Sequence, residues 1–351
     1  MRIANQITKF AVVIYPKSKI MKFPVFRILL ISLSLVLASC SDDDDSGSNN
    51  NNQSKNLNAT LSADSRFSIL VDGLKRTGLE SMLESNGNFT VFAPTDAAFT
   101  AWITDQGYSD LDGLIQGIGM EDFKEALAYH LLRGDYTSVK LQSGYYSTLA
   151  INAEKDSLHL YLDKGAQLKL NGTVQVQEAN IDANNGTIHA ISSVNFPMTV
   201  YGLIEVNPSY SSFEAAIGLA DGNLKTVLAN ESQTYSIFAP SNAAFDSLVN
   251  QTPNVTNLFE LVASLGTDKL ADVILYHGTN TGILSSELQT GNITTLADNG
   301  LGGKFQFFVN IGAKIKLIDN NNATEDAVLV QGDLIGTNGV VHFIDAVLLP
   351  E

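Results

Sequence analysis

Five histidines and one cysteine are the residues of this 351-residue chain most able to do chemistry, and their spacing limits what that chemistry can be. The histidines are His130, His159, His189, His277 and His342. None stands in a His-x-His or His-x-x-x-His arrangement, so no two can clasp a metal from one strand or one helix face. A Gly-x-Ser-x-Gly elbow, a phosphate loop and a His-Glu-x-x-His helix are missing from the sequence. Asp319 to Asp326 offers oxygen ligands that calcium could use, but it lacks the glycine and the closing glutamate of a calcium-binding loop. It reads as a solvated hairpin loop. A single cysteine makes neither an internal disulfide nor a zinc cluster. No metal, no cofactor and no catalytic residue are expected.

Four of the histidines come in matched pairs because the chain repeats. Phe89-Thr90-Val91-Phe92-Ala93-Pro94-Thr95-Asp96-Ala97-Ala98-Phe99 returns as Tyr235-Ser236-Ile237-Phe238-Ala239-Pro240-Ser241-Asn242-Ala243-Ala244-Phe245, 146 positions later (238 minus 92). Tyr129-His130 returns as Tyr276-His277, and His189 as His342. His130 continues a helical stripe of Phe123, Ala126 and Leu127, as His277 continues Leu270, Val273 and Ile274. His189 and His342 share a strand face with Ile191 and Ile344. All four therefore read as core histidines hydrogen-bonded to backbone. Tyr129 and Tyr276 lie off the stripe and are expected to be reachable from outside.

The elements that carry these residues follow from pattern. Each copy of the long repeat reads as a buried strand ended by Pro94 or Pro240, then a helix N-capped by Thr95 or Ser241. Phe99, Trp102 and Ile103 give that helix an apolar face, as do Phe245, Leu248 and Val249. Further helices are expected over 65–83 and 121–132. Short strands are expected over 156–162, 167–170 and 304–309, with Asn185-Gly186 and Asn338-Gly339 as hairpin dipeptides. Helices early and strands late in each copy make an α+β fold in two tandem domains.

The chain divides as follows. Residues 1–40 form a signal segment whose true start is Met21, and 41–58 an acidic, Asn-rich solvated tether. A first domain covers 59–199, a short linker 200–208 and a second domain 209–351. Residues 1–39 hold six basic groups and no acid, so beyond them 15 basic groups face 37 acidic ones, a balance of −22. Such a charge disfavours nucleic acid and anionic lipid as partners. Leu37-Ala38-Ser39-Cys40 is similar to the lipobox of bacterial lipoproteins, in which the cysteine carries lipid. The acidic run Asp42 to Asp45 resembles the surface-export signal of some Gram-negative lipoproteins.

Thr90 to Phe99 resembles the first signature motif of the fasciclin-type (FAS1) adhesion domain. Gly339-Val340-Val341-His342-Phe343-Ile344-Asp345-Ala346-Val347-Leu348-Leu349-Pro350 is similar to its second, with a looser version from Gly186 to Val194. The family carries a Tyr-His pair between the signatures, matched by Tyr129-His130 and Tyr276-His277, whose neighbourhood has been linked to receptor binding in animal members. The resemblance covers roughly residues 59 to 351. It implies two β-sheet wedges packed with several α-helices and a non-enzymatic adhesion role, and with the lipobox and acidic run the chain reads as an outer-membrane lipoprotein anchored by Cys40 and facing the cell exterior. Its partner is then an extracellular protein or polysaccharide, with Tyr129, His130, Tyr276 and His277 as candidate ligand-binding residues. The alternative is an accessory glycan-binding lipoprotein that serves polysaccharide uptake.

Overall fold

The two Phe-Ala-Pro strands each lie between a parallel and an antiparallel neighbour in two like sheets. The computed structural model describes residues 55–319, 321 and 325–350. The signal segment, Cys40, the acidic run and part of the 319–326 loop lie outside them. In the first half β1 (Phe89–Pro94), β2 (Leu131–Arg133), β3 (Gly144–Ile151), β4 (Ser157–Lys164), β5 (Leu168–Leu170), β6 (Val174–Ala183) and β7 (Gly186–Ile191) close into a barrel. In the second, β8 (Tyr235–Pro240), β9 (Gly278–Thr279), β10 (Gly291–Asp298), β11 (Lys304–Ile311), β12 (Ile315–Ile318), β13 (Ala327–Gly336) and β14 (Gly339–Ile344) keep the same neighbours, left open between β9 and β10. One pair in each sheet is parallel. β1 lies beside β7 with Phe92 opposite His189, and β8 beside β14 with Phe238 opposite His342.

Helices pack against the sheets. The first domain has α1 (Leu57–Ala63), α2 (Ser68–Thr77), α3 (Glu80–Glu84), α4 (Asp96–Asp105), α5 (Leu111–Ile118) and α6 (Met120–Ala128). The second has α7 (Val200–Glu205), α8 (Ser211–Leu219), α9 (Leu224–Leu228), α10 (Asn242–Gln251), α11 (Leu258–Leu265) and α12 (Thr267–Tyr276). The strand-to-helix turn is built as its sequence dictates. All six residues of β1 and of β8 are buried. Thr95 Oγ1 accepts from Ala98 N–H and Ser241 Oγ from Ala244 N–H, each at 3.3 Å. Removing such a cap costs about 1 kcal/mol, whereas truncating the fully buried Phe92 or Phe238 to Ala costs about 3–5 kcal/mol.

The hairpin asparagines do more than turn the chain. Asn185 Oδ1 accepts from Leu57 N–H at 2.8 Å, while its Nδ2 donates to the Leu83 and Ser85 carbonyls at 2.8 and 2.7 Å. Asn338 repeats this with Val200 N–H and the Leu228 and Asn230 carbonyls. One side chain thus ties a helix start, a helix end and a hairpin together. The glycine that follows is obligatory. A Cβ on Gly186 would lie 1.8 Å from the Phe89 carbonyl oxygen, and one on Gly339 1.9 Å from that of Tyr235.

Four expectations need correction. The helix expected over 65–83 breaks at Gly78, which takes a left-handed conformation between α2 and α3. The helix expected over 121–132 ends at Ala128, and Leu131 and Leu132 instead pair with β1 as β2. A helical stripe in sequence cannot show that a neighbouring strand will capture its end. Residues 200–208 are no loose linker. Thr199 caps α7, whose Val200, Tyr201, Leu203 and Ile204 are buried in the second core. The solvated tether also stops short of residue 58, because Leu57 and Asn58 are buried in α1, capped by Asn56.

Candidate functional site

The two Tyr-His pairs sit where α6 and α12 end. His130 Nε2 accepts from Asn195 N–H at 2.8 Å, so the ring proton is on Nδ1, which donates to the Ala126 carbonyl at 2.7 Å. His277 does the same between Leu348 N–H at 3.0 Å and the Val273 carbonyl at 2.7 Å. Each imidazole pins the segment after the last strand to the end of a helix. Both rings are buried, and burial pushes both down to about pH 4, so they are neutral at physiological pH.

The second pair of histidines is as fully engaged. His189 Nε2 donates to the Tyr136 carbonyl and His342 Nε2 to that of Ile283, each at 2.8 Å. Their rings stack on Phe92 and Phe238 at 5.4 and 5.1 Å. The expectation of core histidines matches these contacts. The expectation for the tyrosines fails: Tyr129 and Tyr276 are 0% and 1% exposed. The end of the helix turns each ring inward, where the Tyr129 hydroxyl donates to the His159 carbonyl at 2.7 Å and that of Tyr276 to the Gln306 carbonyl at 2.9 Å. None of the four candidate side chains is presented to a macromolecular ligand. They hold the fold behind whatever surface binds.

The fifth histidine has no counterpart in the repeat, and it lies at the domain junction. His159 Nδ1 accepts from Ile335 N–H of the second domain at 3.0 Å, and its Nε2 donates to Ser147 Oγ at 3.1 Å. Beside it the Tyr145 hydroxyl donates to the Leu203 carbonyl, and the Tyr145 ring meets Phe343 at 5.8 Å. Ile335 and Val340 pack into the first domain's core. These contacts define how the domains sit together, which a linker-length argument could not supply. Burial lowers His159 to about 4, against a smaller pull upward from the Asp333 carboxylate.

Two surface cavities could receive a ligand. One of about 380 Å³ lies among α2, α4 and the loop before α5. Its carboxylates already have work, Asp72 on Arg76 and Asp110 as the cap of α5. The other, about 410 Å³, is lined by Arg133, Tyr136, Tyr145, Tyr146, Ser147 and Ser157 with Leu132, Thr148 and Leu149. None of these lining residues is among the candidate ligand-binding residues expected from the sequence. A signal existed in the Tyr145-Tyr146 step, but nothing in the sequence brings Arg133 and Ser157 beside it. Among the described residues no cluster of three or more His, Cys, Asp or Glu could hold a metal, and no helix is long and apolar enough to cross a membrane.

The Fasciclin domain profile matches residues 65–197 and 208–350. The chain is 26% identical over 282 residues to Transforming growth factor-beta-induced protein ig-h3 of Sus scrofa, covering 78% of this chain and 36% of that protein. It is 28% identical over 286 residues to human Periostin, covering 78% and 30%. The Synechocystis protein sll1483 is 32% identical over 136 residues, which is 39% of this chain and 70% of that one. The chain thus spans about a third of the two animal proteins' length. A solved FAS1 domain pair from the insect cell adhesion molecule fasciclin I aligns over 81% of this chain and 97% of its own, at 16% identity and a TM-score of 0.49.

Proposed function

This chain belongs to the fasciclin-domain family, and from that premise we propose that it is a non-enzymatic adhesion module, displayed outside an outer membrane on a lipid at Cys40. The observation that carries this reading is the commitment of its histidines. All five, the side chains best suited to proton transfer, hold backbone or junction groups in a neutral state. What remains is a rigid pair of domains that can hold a surface in place. Two copies on one tether raise the effective concentration at a multivalent surface, so weak contacts add up to adhesion. The anchor rests on the lipobox resemblance, and the outward placement on the acidic run after Cys40.

The test is an array of immobilised extracellular proteins and polysaccharides probed with the intact two-domain protein, alongside an assay for released product. Binding without turnover is the expected result. Product above a heat-denatured control would make the protein an enzyme, and failure to bind any polymer would remove the adhesion reading. The polar and aromatic cavity beside β3 favours a second reading, in which the bound polymer is a polysaccharide being captured for uptake.

A further inference from the structure

The repeat supplies an internal control for the cavity of about 410 Å³. Around it the two domains match with an offset of 147 (277 minus 130). Gly144 and Gly291 each open an eight-residue strand. Thr148 and Thr295 each donate from a buried hydroxyl to the facing strand, at the Leu158 and Phe305 carbonyls. By this offset Arg133 stands where the second domain has Asn280, Tyr136 where it has Ile283, and Tyr146 where it has Ile293. The same scaffold forms with none of these three residues. Their presence in the first domain is therefore not a demand of the fold.

Two of their polar ends are also unclaimed, while the Tyr146 hydroxyl accepts from Gln142 N–H at 2.9 Å and donates to the Gln142 carbonyl at 3.1 Å. Arg66 and Arg76 pair with carboxylates, but Arg133 has none within ion-pair distance among the described residues and only lies over the Phe89 ring at 6.0 Å. Asp135, two residues on, turns away to Thr187 Oγ1 and Lys140 Nζ at 2.6 and 2.9 Å. The Tyr136 hydroxyl and Ser157 Oγ likewise have no hydrogen-bond partner among the described residues. Tyr136 and Tyr146 meet edge to face at 5.5 Å and are only half-buried. A guanidinium, two hydroxyls and two aromatic rings converge on a cavity within the size range of small-ligand sites.

We propose that this cavity is a subsite for a uronic acid residue of a glycan, with the sugar carboxylate on Arg133 and the sugar ring against Tyr136 and Tyr146. The inference rests on the binding function proposed above and adds its ligand class. An apolar ligand would leave the two hydroxyls and the guanidinium desolvated and unpaired. A neutral sugar would satisfy the hydroxyls but cover a cation without a counter-charge. A carboxylate fits the planar fork of Arg in two parallel hydrogen bonds. The charge balance of −22 beyond residue 39 sets a limit. It repels a dense polyanion, although only over about 8 Å at physiological salt. The site therefore reads single acidic sugars spaced along a glycan.

The test uses the intact two-domain protein and two soluble trimers measured by calorimetry, an acidic one of galactose with a single galacturonic acid residue and a neutral one of galactose alone. The acidic trimer should bind tighter than the neutral one. Arg133→Gln should weaken the acidic trimer roughly ten- to a hundred-fold, as loss of a charge-assisted contact does, and leave the neutral one unchanged. Asn280→Ala, at the matched site of the second domain, should change neither. Arg133→Lys keeps the charge and serves if the Gln variant unfolds, with a smaller loss expected because the fork is gone. Equal binding of both trimers, or full binding by Arg133→Gln, overturns the proposal. So does failure to bind either trimer by a protein that still adheres to immobilised polymer, an outcome that leaves the adhesion reading standing.

Discussion

Replacing His130 by Gln isolates the contribution of one buried imidazole to stability, and the single tryptophan is placed to report it. Trp102 stacks on Phe123 and meets the edge of Phe196 at 5.2 Å. Phe196 follows Asn195, whose N–H is the one that His130 accepts. In the folded protein His130 titrates near 4, in an unfolded chain near 6.5. The sign follows from which state binds the proton. Above pH 6.5 both states are neutral and the group adds no pH dependence. Between 6.5 and 4 the unfolded chain takes up a proton that the folded one refuses, so stability falls as the pH falls. The lost increment is about 3 kcal/mol at pH 4, where the folded ring is half protonated, and levels off below that at about 3.5 kcal/mol, from 2.5 pH units at about 1.4 kcal/mol each. Gln carries both a donor and an acceptor and no titrating group. Urea unfolding followed by Trp102 fluorescence at pH 7, 6, 5 and 4.5 should show a wild-type midpoint that drops faster than that of His130→Gln. The other titrating groups of the domain are common to both proteins and cancel in the difference. Parallel curves for the two proteins would refute the argument, because His130 would then titrate alike in both states.

Asn195→Leu should stabilise the first domain by about 1 kcal/mol or more, since its buried Nδ2 has no partner among the described residues while the matched position after β14 is already Leu348; thermal unfolding followed by Trp102 fluorescence checks it. Gly339→Ala should cost about 3 kcal/mol or more, because the added Cβ meets the Tyr235 carbonyl in a left-handed backbone position; urea unfolding read by circular dichroism checks it, and an unchanged or raised midpoint contradicts the clash. His159→Leu leaves the Ile335 N–H unpaired at about 1–3 kcal/mol, so calorimetry should show the domains' unfolding transitions drawing apart, and a single unchanged transition contradicts the account of the junction. Cys40→Ala should abolish labelling by a radioactive fatty acid and release the protein from membranes, and label retained by the variant would show that the anchor lies elsewhere.

The elements most legible in the sequence are those whose signal is local. The end of β1 at Pro94 and the cap at Thr95 need only neighbouring residues to be foreseen. So does the apolar face of α4, where Phe99, Trp102 and Ile103 are all buried. The misreadings share a physical origin in long-range contact. Leu131 and Leu132 fit a helical stripe, yet pairing with β1 outweighs that preference. Tyr129 lies off the stripe but is drawn inward because the chain turns after α6 and Asn171 donates to its hydroxyl from the turn after β5. Residues 200–208 look like a connector until Asn338, 138 positions after Val200, accepts from its N–H. No window of sequence contains both partners of such a contact.

Comparison of the two domains separates scaffold from surface more sharply than either domain read alone. His130 and His277, His189 and His342, Asn185 and Asn338, and Gly186 and Gly339 make the same hydrogen bonds or the same close approach in both halves. Groups held to one geometry in two otherwise different sequences answer to the fold, and this is why the Tyr-His pairs belong with the scaffold even though their residue types invite a chemical role. The residues that differ at matched positions are free of that demand. His159 and Tyr145 have become the junction, where each hydrogen-bonds across to the second domain. The Arg133 guanidinium and the Tyr136 hydroxyl make no such contact among the described residues, the Tyr146 hydroxyl bonds only the nearby Gln142, and all three residues line one cavity. The glycan subsite proposed above therefore lies in the first domain, at positions where the second domain carries Asn280, Ile283 and Ile293.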